Sequence, residues 1–173
     1  MLSRSLDGVD RPTLFKAVRA GLRNEDGSAR GNISSVYHLL SLDELKPLLP
    51  AILDAIMQPA PSGEMFADQV RLHGLQVLAK HHIEEGMSAI VQYTREQNPW
   101  ASEGRTPELM KLLLSYGSHA KAVIPELKKI AHYFEHEEKD FPKDLGLQKA
   151  DSLRDTIKAI ESNSELPKLI KIP

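Results

Sequence analysis

Apolar residues recur along this chain in stripes of helical period, and the stripes themselves recur. The run Leu49-Pro50-Ala51-Ile52-Leu53-Asp54-Ala55-Ile56 sets Leu49, Ile52, Leu53 and Ile56 on one face of a 3.6-residue helix. Met87, Ile90, Val91 and Thr94 keep the same spacing, as do Ile124, Leu127, Lys128 and Ala131, with Thr94 and Lys128 as departures. Pro12, Pro50, Ser88 and Pro125 anchor four such helices, so the steps between anchors are 38, 38 and 37 residues. Proline suits the first turn of a helix, where its missing N–H has no intrahelical partner to lose. A fixed step of this size marks stacked structural repeats.

A second helix is predicted before three of the anchors, from Val36, Tyr37, Leu39 and Leu40, then Leu75, Val77 and Leu78, then Leu112, Leu113 and Leu114. Each unit reads as helix A, a turn and helix B. Neither helix can bury its stripe alone, so neighbouring pairs must stack. The pattern predicts A helices over about 28–41 and 64–82 and B helices to Met57, over 84–97 and over 119–138, with Ser41 and Glu44 forming a capping box. Gln58-Pro59-Ala60-Pro61-Ser62-Gly63 reads as a loop, and Asn98 to Arg105 as the longest connection, with helix resuming at Thr106-Pro107-Glu108. Phe141-Pro142 ends the long B helix. A last helix over 146–162 places Ala150, Leu153, Ile157 and Ile160 on one face and Lys149, Arg154, Asp155, Lys158 and Glu161 on the other, as a C-terminal cap requires.

With the helix-B proline and the acidic-to-arginine turns Asp26-Gly27-Ser28-Ala29-Arg30 and Asp68-Gln69-Val70-Arg71, residues 11–137 resemble the HEAT-repeat family. The turn Tyr116 to Ala122 looks like that family's link between helices A and B. The resemblance implies an all-α, armadillo-like α-solenoid. It also implies an inter-unit ladder of acidic residues and arginines, to which Glu103 and Arg105 fit less well. The C-terminal part also looks like helical tail regions of large bacterial proteins of unknown function. In such solenoids B helices line the concave face. That expectation assigns binding to Lys16, Arg19, Asp54, Met57, Gln92, Arg95, Glu96, Lys129, His132 and Tyr133. The stripe is mixed in charge with some aromatic character, which suits a protein or peptide partner.

Organisation along the chain follows from the same pattern. Residues 1–10 are polar and read as irregular. The Pro12 helix has no A partner before it, which leaves Leu14, Phe15 and Val18 incompletely covered. We expect a single helical domain over 1–173, with repeats over 11–138, a capping helix over 139–163, and a tail over 164–173. We also expect it to be part of a longer protein with an upstream domain.

Composition narrows the function classes. The chain has 173 residues, 41% apolar, 27% charged and 5% aromatic, with a net charge of −2 and no cysteine. The charge balance points away from nucleic acid and anionic membranes, and it counts against a HEAT-like DNA-repair enzyme, which needs a basic concave face. The missing cysteines remove disulfides and thiolate metal sites. The N-terminus lacks an apolar signal core, and no run reaches the ~20 apolar residues of a membrane span.

Candidate chemistry is sparse. His132-Tyr133-Phe134-Glu135-His136 matches the H-x-x-E-H pattern of inverted zinc peptidases, with His132 and His136 on one helix face. Catalytic zinc takes three protein ligands, and the repeat register places no third one, so we expect no metal, no cofactor and no catalytic residue set. His81-His82-Ile83-Glu84-Glu85 reads as a polar turn. The glycines are too scattered for a phosphate loop. Trp100, the sole tryptophan, reads as an anchor pinning its loop to the core. The functional expectation is a non-catalytic interaction or scaffolding module; the alternative is a helical accessory domain of a larger hydrolase with catalysis elsewhere.

Overall fold

The computed structural model describes residues 6, 8–62, 66–97, 101–138 and 143–172. Among these the chain is all-helical, with two isolated β-bridges and no strand. The α-helices are α1 (Arg11–Leu22), α2 (Gly27–Ser34), α3 (Leu42–Leu45), α4 (Leu49–Met57), α5 (Asp68–Lys80), α6 (Glu85–Glu96), α7 (Ser102–Leu114), α8 (Ile124–His136) and α9 (Lys143–Ser162). The chain divides into two compact units, one running up to Val77 and one over Leu78–Lys171, so the division falls inside α5. No helix is long and apolar enough to cross a membrane among the described residues.

Local chemistry sets the helix starts. Pro12, Pro50 and Pro125 each sit in the first turn of α1, α4 and α8, where the ring costs no backbone bond. Asp10 and Asp26 cap α1 and α2 by accepting from Thr13 N at 2.9 Å and Ala29 N at 2.7 Å. Ser41 and Glu44 close the expected capping box on α3. The backbone N–H of Ser41, with Arg11 and the Ser41 hydroxyl, holds the Glu44 carboxyl below its ordinary value. Three expected spans change. The 28–41 helix is the shorter α2 followed by a 3₁₀ turn over Tyr37–Leu39. The 119–138 helix is a 3₁₀ stretch over Gly117–Val123 that widens into α8. Helix α7 begins at Ser102 and carries Pro107 inside it, so the connection before it is shorter than expected. Phe141-Pro142 and Trp100 lie outside the described residues.

In the first unit, α1 packs on α2 and α4. Its core includes Leu22, Tyr37, Leu45, Leu48, Leu49, Ile52 and Ile56, all buried, while Leu14 and Phe15 on α1 are half-buried. Leu53, expected in the buried stripe, is only half-buried; Ala55, at 1% exposure, turns inward instead. Helix α8 shows the same change: Ile130, the equivalent of Ala55, is buried, while Lys128, the equivalent of Leu53, is 63% exposed. Helix α6 keeps the expected stripe, with Met87, Ile90, Val91 and Thr94 all buried, and adds Tyr93 to it. In α4 and α8 the buried face is therefore rotated by part of a turn relative to the expected one, a small angle that a 3.6-residue period cannot resolve from composition.

In the second unit, α9 packs on both α7 and α8. Ala150, Leu153, Ile157 and Ile160 are buried as the capping pattern requires. Lys149 is the correction. Expected on the solvent face, it is 1% exposed; its ammonium lies 2.8 Å from Glu138 Oε1 and 4.1 Å from the centre of the Phe134 ring. Burying an ammonium is tolerated because a carboxylate and the negative face of a ring replace water around it.

Candidate functional site

The second unit brings six of the ten expected binding residues onto two neighbouring helices. Gln92, Arg95 and Glu96 project from α6, and Lys129, His132 and Tyr133 from α8, with α6 packed against α8. Four of these six, Arg95, Lys129, His132 and Tyr133, line an open groove of about 410 Å³ together with Lys128 and Glu137. The Arg95 guanidinium stands 5.3 Å from the centre of the half-buried Tyr133 ring, a cation–π contact that fixes both side chains at the groove wall. Lys129 is held by Glu126 at 2.6 Å, one turn back on the same helix. Gln92 donates to Glu96 along α6 at 3.3 Å, so these two satisfy each other beside the groove. Besides His132, the lining carries three cations and one carboxylate.

A second groove, of about 340 Å³, lies between α8 and α9 and shares Lys128 and His132 with the first. His132 and His136 sit one turn apart on α8 with ring centres 4.5 Å apart and planes tilted by 55°. Glu135, the carboxylate of the H-x-x-E-H pattern, is an ion-pair partner of Arg154 on α9 and lies 3.5 Å from His136. Glu137 lies 3.9 Å from His132. A metallohydrolase base must be free to take a proton from bound water, whereas this carboxylate is already neutralised by a guanidinium. Among the described residues no group of three His, Cys, Asp or Glu side chains is placed to hold a metal ion.

The other four expected residues belong to the first unit. Lys16 and Arg19 are exposed on α1, and Arg19 donates to the Pro47 carbonyl at 2.8 Å. Asp54 is exposed and Met57 half-buried on α4. This unit also holds a serine–histidine pair. Ser34 Oγ lies 2.8 Å from His73 Nδ1, and the same hydroxyl donates to the Gly31 carbonyl at 2.7 Å. With its proton given to Gly31, the hydroxyl accepts from the imidazole, the opposite polarity to that of a serine activated by a base, and the pair ties α2 to α5.

Burial, helped by nearby His38, holds the His73 pKa below its ordinary value of 6.5, and burial does the same for His81. A histidine with a lowered folded pKa binds fewer protons when folded. Its contribution to stability is thus intact above pH 6.5 and is lost as the pH falls below that value. Thermal melts are expected to shift downward over this acidic window, and His73→Gln should flatten part of the shift. A melting temperature that does not change in this window would refute the assignment.

Sequence reasoning missed Lys128 and Glu137 as groove residues. The signal for Lys128 was present: a lysine interrupting an apolar stripe marks that position as facing water. Glu137 follows the last residue of α8, where helical periodicity no longer predicts direction. No protein-family model, curated protein or solved structure matches the chain, so the reading of the site rests on its own geometry.

Proposed function

We propose that this chain is a non-catalytic, HEAT-like helical-repeat module that binds a protein or peptide partner, and that the groove between α6 and α8 receives an acidic segment of it. The observation that carries the reading is the groove lining: Arg95, Lys128 and Lys129 around the Tyr133 ring, with Glu137 as the one carboxylate of the lining, although Lys128 and Lys129 also pair with Glu161 and Glu126 outside it. An aromatic surface with flanking cations suits a carboxylate-bearing peptide, because the ring supplies contact area and the cations supply orientation. Two features favour the repeat architecture. Arg30, Arg71 and Arg105, at the positions of the family's ladder arginines, are all buried. Helix α9 covers α7 and α8 with one apolar face, as a terminal cap would.

The test is titration of the full chain with a short glutamate-rich peptide and with a lysine-rich one of equal length. The acidic peptide should bind more tightly, and added salt should weaken it. The double variant Arg95→Ala/Lys129→Ala should lose at least about tenfold in affinity, or 1.4 kcal/mol. Equal binding of the two peptides, or no loss in the double variant, would overturn the proposal.

A further inference from the structure

The segment after α9 does not trail into solvent. It runs in extended conformation along two turns of the second unit, His82–Glu84 between α5 and α6 and Gly117–His119 after α7. Its hydrogen bonds to these turns are made by its main chain. The Glu165 carbonyl accepts from Ser118 N at 2.8 Å and from Ser118 Oγ at 3.0 Å. His119 Nε2 donates to the Pro167 carbonyl at 3.0 Å. Ile170 donates its N–H to the His82 carbonyl at 3.0 Å and accepts from Glu84 N at 2.8 Å, forming a parallel bridge with Ile83. Lys171 adds an ion pair to Glu84 at 3.5 Å. Of the tail side chains Leu166 is 70% exposed, while Pro167, Leu169 and Ile170 are half-buried.

The receiving edge is braced independently of the tail. Tyr116, fully buried, donates its hydroxyl to the Ile83 carbonyl at 2.9 Å and meets the His82 ring edge-on at 6.1 Å, so the two turns are tied to each other. A side chain on Gly86 would bring its Cβ within 2.1 Å of the Tyr116 hydroxyl, so glycine there lets the tie form. Gly117 takes φ +59, and a Cβ on it would lie 2.4 Å from the Glu165 carbonyl oxygen. The turn is thus left-handed and bare where the tail crosses it.

We infer that these two turns form a docking edge for extended main chain, filled here by the chain's own tail, and that the same segment of a second copy can take its place. The edge selects backbone geometry more than side chains: carbonyls at Glu165 and Pro167, an N–H and carbonyl pair at Ile170, then a basic residue to meet Glu84. Pro167 suits it, because proline favours extended backbone and only its carbonyl is used. This edge is separate from the α6/α8 groove residues, and the inference does not depend on that site.

The experiment uses the full-length variant Ile170→Pro, which removes the N–H given to His82. A synthetic peptide of residues 163–172 stands for the tail of a second copy, and the backbone amides of Glu84 and Ser118 report by NMR. A linked tail competes at an effective concentration in the millimolar range. The peptide should therefore bind the variant at least about tenfold more tightly than the wild type and move both amides towards their wild-type positions. The peptide carrying the same proline should not bind, and Gly117→Ala should not accept either peptide. A folded Ile170→Pro variant whose amides ignore the wild-type peptide would overturn the inference. Hydrogen exchange on the wild type decides the matter even if the variant fails to fold. The amides of Glu84, Ser118 and Ile170 should be protected and should open together, faster than Ile90 and Ile130. Unprotected exchange at these sites, or exchange only through global unfolding, would overturn it.

Discussion

Arg30→Ala is expected to lower the stability of the first unit by about 3–5 kcal/mol, the largest loss we anticipate from a single charged residue. Arg30 is fully buried, and its guanidinium donates to the Gln58 carbonyl at 3.2 Å and the Pro59 carbonyl at 3.0 Å. These carbonyls lie just beyond the C-terminus of α4, where backbone acceptors have no helical donor and where the helix dipole favours a cation. Alanine would leave both acceptors unsatisfied and open a cavity the length of the arginine side chain. Arg30→Lys should recover only part of the loss, since a single ammonium cannot match the planar fork across two carbonyls. Arg30→Met, which keeps much of the volume, should separate the cavity cost from the hydrogen-bond cost. Urea denaturation followed by far-UV circular dichroism measures all three. An Arg30→Ala midpoint equal to the wild type would mean that the guanidinium is not engaged as described.

The second large effect is a gradient over three consecutive residues of α4. Ile52 is 0% exposed, Leu53 half-buried and Asp54 exposed. Ile52→Ala should cost about 2–5 kcal/mol, Leu53→Ala distinctly less, and Asp54→Ala no more than about 0.5 kcal/mol. The stripe alone predicts equal, large losses at Ile52 and Leu53. Denaturation midpoints for the three variants therefore decide between the sequence register and the rotated face. A loss at Leu53 as large as that at Ile52 would restore the original register.

Helix starts were legible because they are local. Ser41 and the first-turn prolines act on backbone groups within a few residues, and the structure places them as the pattern predicts; Asp10 and Asp26 cap their helices in the same local way. The all-helical class was legible for the same reason, through a period of 3.6 and lengths compatible with single helices. Four of the six residues that line the groove, Arg95, Lys129, His132 and Tyr133, belong to the stripe that the HEAT-repeat resemblance assigns to binding.

What the sequence by itself determined, then, is the helical class, the helix starts marked by Ser41 and the prolines, and the apolar face of α9 that turns inward. Each of these depends on interactions within one helix or one turn. Tertiary structure alone decided the rest, because burial is set by the neighbour a face meets. It buried Lys149 where a carboxylate and a phenyl ring were waiting. It turned Ala55 inward in place of Leu53, and it neutralised Glu135 with Arg154. It also laid the tail on two turns distant in sequence, through backbone groups that every residue carries. Main-chain hydrogen bonds leave no mark on side-chain pattern, and for that reason the docking edge at His82–Glu84 and Gly117–His119 could be read only in three dimensions.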